Sequence, residues 1–208
     1  QNIKIVEKNG IKIAFLSFNQ YVNGVTYQKK LPYMINFHES TMMENMKKAR
    51  ESADIVIASC HWGVEYDQSP NAFQKNMAQK LADAGADVII GTHPHTLQDV
   101  EYIQRADGKR TLVAYSLGNF VSGMLEESCQ LEGMLSFDIE KKKIKNVVFT
   151  PLVNYYTLTG KKERHDFSVY RLKDYTNKLV EKHGFPNLTI PHMKEEAKQK
   201  VKNIKIDM

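Results

Sequence analysis

The stretch ADVIIGTHPHTLQDVEY, residues 86–102, decides the fold of this 208-residue chain. Its apolar run over residues 88–90 predicts a short strand that is buried on both faces of a sheet. Two histidines, His93 and His95, follow the strand with one residue between them. That residue is Pro94, which fixes its own φ and should hold His93 in an extended conformation. The sequence therefore predicts a strand end that directs two imidazoles toward a common point.

The segment IVIASCHWGVEYDQSP, residues 55–70, follows the same plan, because an apolar strand ends and a histidine, His61, comes directly after it. Residues 70–84 have a proline near the start, apolar residues at helical spacing and a glycine at the end, which predicts a helix. A helix between two strands is typical of a right-handed crossover between parallel neighbours. The strands over 54–60 and 87–91 should therefore end at the same edge, where ligands gather in α/β sheets.

The remaining pattern mixes strands and helices, and we predict an α/β fold that is in part α+β. Residues 1–160 are predicted to form the main domain, and residues 161–208 a helical C-terminal extension. The predicted elements are a hairpin over 3–18 with Asn9-Gly10 at its turn, a helix over 38–52, strands over 111–118, 131–140 and 144–153, and helices over 168–184 and 192–204.

Composition excludes several classes of protein. The chain is 42% hydrophobic and 25% charged, which is ordinary for a globular domain. It contains no apolar run of the roughly 18 residues that a membrane helix needs. Two cysteines cannot form a disulfide framework. The net charge is +5, and much of the excess lies in residues 141–143 and 194–205, which we interpret as a solvated basic face or a surface for an anionic partner.

Three histidines on one sheet edge predict a metal site. Neutral imidazole is the commonest ligand of divalent Zn, Mn, Fe and Co ions, although each histidine alone could equally be a core or turn residue. Two further residues are candidates for catalysis. Glu65 lies four residues after His61 and could face the same pocket or a surface loop. Asn119, in SLGNF, could bind or orient a substrate or simply stabilise a turn.

Three motifs carry a family resemblance: SCHWGVEY (59–66), LADAGADVIIGTHPHTLQDVEY (81–102) and VAYSLGNFV (113–121). With these motifs, roughly residues 3–150 resemble the poly-γ-glutamate capsule biosynthesis proteins of the CapA type, within the calcineurin-like metallophosphatase superfamily. The resemblance implies a two-sheet β-sandwich flanked by helices. It also implies a pair of divalent metals, with His61 and His93 on one metal and His95 on the other.

The chain departs from that family upstream of His61. The G-D, N-L-E and N-N-H elements of the family, which supply acidic and amide ligands and a catalytic histidine, do not occur there. Three neutral imidazoles cannot balance two divalent cations, since such sites need bridging oxygen ligands. We therefore predict that this chain is the C-terminal half of a metallophosphatase-like domain, and that an N-terminal half supplies the remaining ligands.

The resemblance leaves three functions open. The first is metal-dependent hydrolase or transferase chemistry on a phosphate ester or related bond. The second is a non-catalytic factor in capsule-polymer assembly or export that retains the fold. The third is a basic module that binds an acidic polymer, with nucleic acid the less favoured partner. The family implies capsule-synthesis membrane proteins as partners. It also implies a place at the bacterial cell surface, with attachment through a segment outside this chain.

Overall fold

A computed structural model describes residues 3–20, 38–160, 163–185 and 187–208. These residues form two β-sheets and four α-helices. The first sheet has the order β1-β2-β3-β4-β6-β5, and in the second sheet β7, β9 and β10 all pair with β8. The elements are β1 (Lys4–Lys8), β2 (Ile11–Asn19), α1 (Glu39–Ser52), β3 (Ile55–His61), α2 (Ala72–Asp83), β4 (Val88–Thr92), β5 (Val100–Gln104), β6 (Arg110–Ala114), β7 (Leu131–Glu140), β8 (Lys143–Leu158), β9 (Arg164–Arg171), α3 (Asn177–His183), α4 (Ile190–Lys200) and β10 (Lys205–Ile206).

The first sheet contains the predicted parallel pair. β3 and β4 lie side by side in parallel, with Ile57 opposite Val88, and β2 and β6 extend the parallel arrangement on either side. The connecting helix α2 begins at a capping box, in which Asn71 and Gln74 satisfy each other's backbone N–H groups. Its apolar face shares a core with β3 and β4. The prediction of neighbouring parallel strands joined by a helix is therefore confirmed.

The second sheet shares a core with the opposite face of the first. Leu97 and Ala114 from the first-sheet side meet Phe149 and Val153 of β8 in one buried cluster. α4 adds Met193 to the same cluster. The molecule thus has a layer of α1 and α2, then the first sheet, then the second sheet with the C-terminal helices packed into its core.

Several sequence predictions need correction. The helix predicted over 168–184 is wrong in its first part, because β9 occupies Arg164–Arg171 and pairs antiparallel with β8. The strand predicted over 111–118 ends at Ala114, and the chain then turns into the loop that carries Asn119. No helix within the described ranges combines the length and apolar composition that a membrane crossing needs.

Candidate metal centre

The parallel register of β3 and β4 places the histidines at one edge. His61 is the last residue of β3 and lies opposite Thr92, the last residue of β4. His93 follows directly, so its loop leaves the sheet beside His61. Both histidines are half-buried, as is His95 two residues further on. The sheet therefore brings the three predicted metal ligands to its C-terminal rim, as expected for an α/β site.

Gly91 makes this arrangement possible because the backbone that follows β6, the neighbouring strand of the same sheet, passes very close to it. A Cβ atom at this position would lie 1.8 Å from the carbonyl oxygen of Tyr115 and 2.5 Å from the indole nitrogen of Trp62. That nitrogen donates a hydrogen bond of 2.9 Å to the same carbonyl oxygen. Trp62 is fully buried, so this hydrogen bond anchors the His61 loop beneath the rim.

The three imidazole rings form a contiguous cluster. The ring centroids of His61 and His93 are 4.5 Å apart, and those of His93 and His95 are 6.2 Å apart. Partial burial lowers the pKa of His93, and the neighbouring His61 imidazole lowers it further. A lowered pKa keeps the imidazole neutral at physiological pH, and the neutral form is the one that binds metal.

Asn119 fixes the orientation of His95. The Oδ1 atom of Asn119 lies 2.6 Å from Nδ1 of His95, and its side-chain nitrogen donates to the His95 carbonyl oxygen at 3.1 Å. Since an amide oxygen can only accept, Nδ1 of His95 carries a proton, which leaves the lone pair on Nε2 in the neutral ring. This is the tautomer of a metal-ligating histidine whose other nitrogen is held by a neighbouring polar group.

Glu65 lies on the open side of the same imidazole. Its Oε1 atom is 3.9 Å from Nε2 of His95, and its side chain is 46% exposed. The carboxylate therefore lies on the side of the ring where Nε2 would bind a metal. Of the two candidate catalytic residues, Asn119 is fixed on His95, whereas Glu65 approaches it from solvent.

The loops around the rim have a strained backbone. Four residues that are not glycine adopt positive φ: Tyr66 at 69°, His93 at 101°, His95 at 64° and Phe120 at 69°. The expectation that Pro94 would hold His93 in an extended conformation is wrong, because packing of the loop overrides the local preference. Strained non-glycine residues of this kind concentrate at functional sites, where the surrounding structure holds them in place.

The side chains at the rim are of the right chemical type for a divalent metal, but too few of them lie close enough together to hold one. Imidazole nitrogen is a suitable ligand for Zn, Mn, Fe and Co. Within the part of the chain that the structure describes, however, no group of three or more His, Cys, Asp or Glu side chains is placed closely enough to hold an ion. The described part of the rim therefore presents three imidazoles but no complete group of side chains for a metal centre, which also needs oxygen ligands.

Glu132 is a residue near the rim that the sequence did not identify. It is fully buried below Gly118, in the loop that carries Asn119, and a Cβ at Gly118 would lie 3.0 Å from its Cγ atom. Neither carboxyl oxygen has a hydrogen-bond partner among the described residues. Burial raises the pKa of Glu132 to about 8, although the backbone N–H groups of Asn119 and Phe120 face the carboxyl and oppose the shift. Its burial depends on a loop folded over β7, which no local pattern predicts.

The family follows from a sequence comparison. A profile described as "Bacterial capsule synthesis protein PGA_cap" matches residues 1–124, well over half of the chain. The chain belongs to this capsule synthesis family. The match includes both histidine loops and Asn119, so the rim lies within the part of the chain that defines membership.

Curated relatives agree with the family. The chain is 36% identical over 126 residues to the capsule biosynthesis protein CapA of Bacillus anthracis, covering 58% of this chain and 29% of that protein. It is 31% identical over 153 residues to the PGA biosynthesis protein CapA of Bacillus subtilis strain 168, covering 73% of this chain and 39% of that protein. The chain therefore spans about a third of the length of these relatives.

Similarity to solved structures is weaker. A hypothetical protein from Thermus thermophilus aligns with a TM-score of 0.36 and 14% identity, over 81% of this chain and 60% of that one. Similarity at this level carries no argument about the site.

Proposed function

We propose that this capsule-family protein binds divalent metal through His61, His93 and His95, and that the site acts on a phosphate ester or a related bond during biosynthesis of a poly-γ-glutamate capsule at the bacterial cell surface. The observation that carries the proposal is the contiguous cluster of three imidazoles at the C-terminal rim, with ring centroids 4.5 and 6.2 Å apart. A divalent metal in such a site supplies Lewis acidity and lowers the pKa of water.

The residues of the chain have separable roles in this proposal. His61 and His93 supply neighbouring nitrogen ligands, and His95 supplies a third whose tautomer Asn119 fixes at 2.6 Å. Glu65, 3.9 Å from Nε2 of His95, is the group that can accept or deliver a proton at the open side of the rim. Asn119 acts through His95, so it is a positioning residue.

We further propose that the remaining ligands come from a segment outside this chain. This is supported by the absence, among the described residues, of a complete group of His, Cys, Asp or Glu side chains that could hold an ion. The surface around the rim supports it as well, because Val64 and Tyr66 on one loop and Phe120 and Val121 on another are 42–61% exposed. A set of exposed apolar side chains that flanks an incomplete site is typical of a surface that another segment covers.

One observation favours a second function, an assembly or export factor that retains the fold without catalysis. No carboxylate in the described ranges joins the histidines in a ready metal group, so the rim as it stands lacks the charge needed for two metals. A factor of this kind would keep the histidine loops for structure and would turn over no phosphate ester.

A turnover measurement on the natural gene product separates these two functions. We expect Mn²⁺-dependent hydrolysis of a phosphodiester or phosphomonoester that His95→Ala reduces at least a hundredfold, in keeping with loss of a metal ligand. The control is His165→Ala, which removes an exposed histidine of β9. A protein that binds Mn²⁺ through the rim yet hydrolyses no ester would favour the assembly factor. A protein whose hydrolysis is unaffected by His95→Ala would contradict the assignment of the site.

A further inference from the structure

A basic cleft lies at the end of the first sheet opposite to the histidine rim. It has a volume of about 630 Å³, and its lining includes six cationic side chains: Arg50, Lys109, Arg110, Lys141, Lys142 and Lys143. Asp54 and Asp87, which also line it, precede β3 and β4, whereas the histidines follow these strands. β3 has seven residues, which at roughly 3.3 Å per residue puts about 20 Å between the two sites.

The two acidic residues of the cleft already have structural partners within the chain. Asp87 accepts hydrogen bonds from Nη1 of Arg50 and from the backbone N–H of Val56, both at 2.8 Å. Asp54 accepts from the backbone N–H of Lys12 at 2.9 Å and pairs with Lys142 at 2.8 Å. These carboxylates hold the strand starts and the β7–β8 hairpin together, so they do not neutralise the other cations.

Three cations of the cleft therefore face solvent with uncompensated charge. Arg110, Lys141 and Lys143 are exposed. Among the ion pairs of the described residues, none includes any of these three side chains. Charges of one sign on the walls of a cleft focus the field and attract a ligand of the opposite sign.

The lysines at the tip of the hairpin are placed against local preference. Lys141 and Lys142 form the two-residue turn between β7 and β8, with φ of 47° and 61°. A turn with positive φ at both positions strongly favours asparagine and glycine. Two lysines at these positions give up backbone stability and gain positive charge at the mouth of the cleft. Lys142 pairs with Asp54, whereas Lys141 takes part in no ion pair of the described residues.

The cleft suits an acidic polymer that has no aromatic rings to stack. Among the described residues of its lining, Tyr102 is the aromatic one, and the guanidinium of Arg110 covers a face of its ring at 4.7 Å from the centroid. The described part of the lining therefore offers no open stacking platform of the kind that single-stranded nucleic acid uses. Flexible lysine side chains bind carboxylates as point charges along a chain. We propose that this basic cleft binds a polymer whose charges are carboxylates, namely poly-γ-glutamate, an inference that rests on the proposed capsule function.

The tip of the hairpin offers a variant that removes charge and keeps the Lys142–Asp54 ion pair. Lys141→Asn with Lys143→Gln, called the turn variant, deletes two of the uncompensated cations and installs at position 141 a residue that the turn prefers. The matched control is Lys178→Gln with Lys182→Gln, which deletes two exposed lysines of α3. Binding of labelled poly-γ-glutamate to the chain is measured by fluorescence anisotropy at low salt. An oligo-dT of the same total charge is the second probe.

The expected result is a dissociation constant raised roughly tenfold to thirtyfold in the turn variant, since each lysine near a polyanion contributes on the order of fivefold. The α3 variant should stay within about twofold of the parent, because its charges lie outside the cleft. The affinity of the parent should also fall with added salt, less steeply in the turn variant.

Three results would overturn the inference: equal losses in both variants, unchanged binding in the turn variant, or tighter binding of oligo-dT than of poly-γ-glutamate. Metal content measured on the same proteins separates this inference from the proposed function. A turn variant that loses polymer binding and keeps its metal supports polymer binding at the cleft, whether or not the metal site is catalytic. Unchanged polymer binding in the turn variant, together with metal loss in His93→Ala, would refute the cleft and leave the proposed metal site standing.

Discussion

Replacing Gly91 with alanine tests the physical basis of the rim. The new Cβ would lie 1.8 Å from the Tyr115 carbonyl oxygen, whereas ordinary contact begins at 3.4 Å, so about 1.6 Å must open between two backbone segments. The same Cβ would lie 2.5 Å from the Trp62 indole nitrogen. Neither a carbonyl nor a fully buried tryptophan can move aside without opening the core.

The cost has two parts. Overpacking a well-packed site costs about 1–3 kcal/mol of unfolding free energy. Breaking the buried Trp62–Tyr115 hydrogen bond leaves a donor unsatisfied and costs about 1–3 kcal/mol more. Together they predict a loss of about 2–6 kcal/mol. At roughly 2–4 °C per kcal/mol for a chain of this size, the melting temperature should fall by about 10 °C.

Thermal melts by circular dichroism, supported by urea unfolding, measure this loss. Gly160→Ala is the control, because a Cβ at Gly160 meets nothing within 4 Å, and it should change the unfolding free energy by less than about 0.5 kcal/mol. A Gly91→Ala protein that melts within about 2 °C of the parent would refute the close approach of β4 to the Tyr115 backbone.

Three other substitutions test the surroundings of the rim. Ile89→Asp buries an unpaired charge in a fully buried strand and should cost more than about 4 kcal/mol in urea unfolding, so a near-native melt would contradict the sheet order. Because the pKa of Glu132 is raised from 4.5 to about 8 in the fold, its contribution to stability is fully present below pH 4.5 and is lost as the pH rises to 8. Glu132→Gln should therefore flatten the pH dependence of unfolding over that window, whereas exposed Glu181→Gln should not, and equal slopes would refute the buried carboxyl. In Asn119→Ala, the ring proton of His95 should no longer be confined to Nδ1, so ¹⁵N NMR should show a mixture of the two tautomers. An unchanged spectrum would contradict the positioning role of Asn119.

The histidine rim could be predicted from sequence because local patterns and parallel topology determine it. Two apolar strands, each followed by histidine and joined by a helix, must place His61 and His93 at one edge. Asn119 was identified only as an isolated polar residue after a glycine. Its hydrogen bond to His95 depends on the path of a loop, which no periodic pattern in the sequence predicts.

Other features could not be predicted from the sequence because they depend on contacts between residues that are far apart in the chain. β9 has a composition compatible with a helix, and pairing with the free edge of β8 decides in favour of a strand. The strain at His93 arises from packing that overrides the preference set by Pro94. Likewise, the cleft combines the β7–β8 turn with the starts of strands on the other sheet, so its charges converge only in the folded chain.

Metal binding to the chain tests the central claim most directly. The chain is titrated with Zn²⁺ or Mn²⁺ by isothermal calorimetry after extensive dialysis, in parallel with His61→Ala, His93→Ala and the exposed control His165→Ala. We expect weak binding to the chain that either rim substitution abolishes and His165→Ala leaves unchanged, because the rim supplies nitrogen ligands without the carboxylates that would hold the ion tightly. Two metals held through dialysis would contradict the ligand deficit, and binding indifferent to His61→Ala and His93→Ala would contradict the metal site itself.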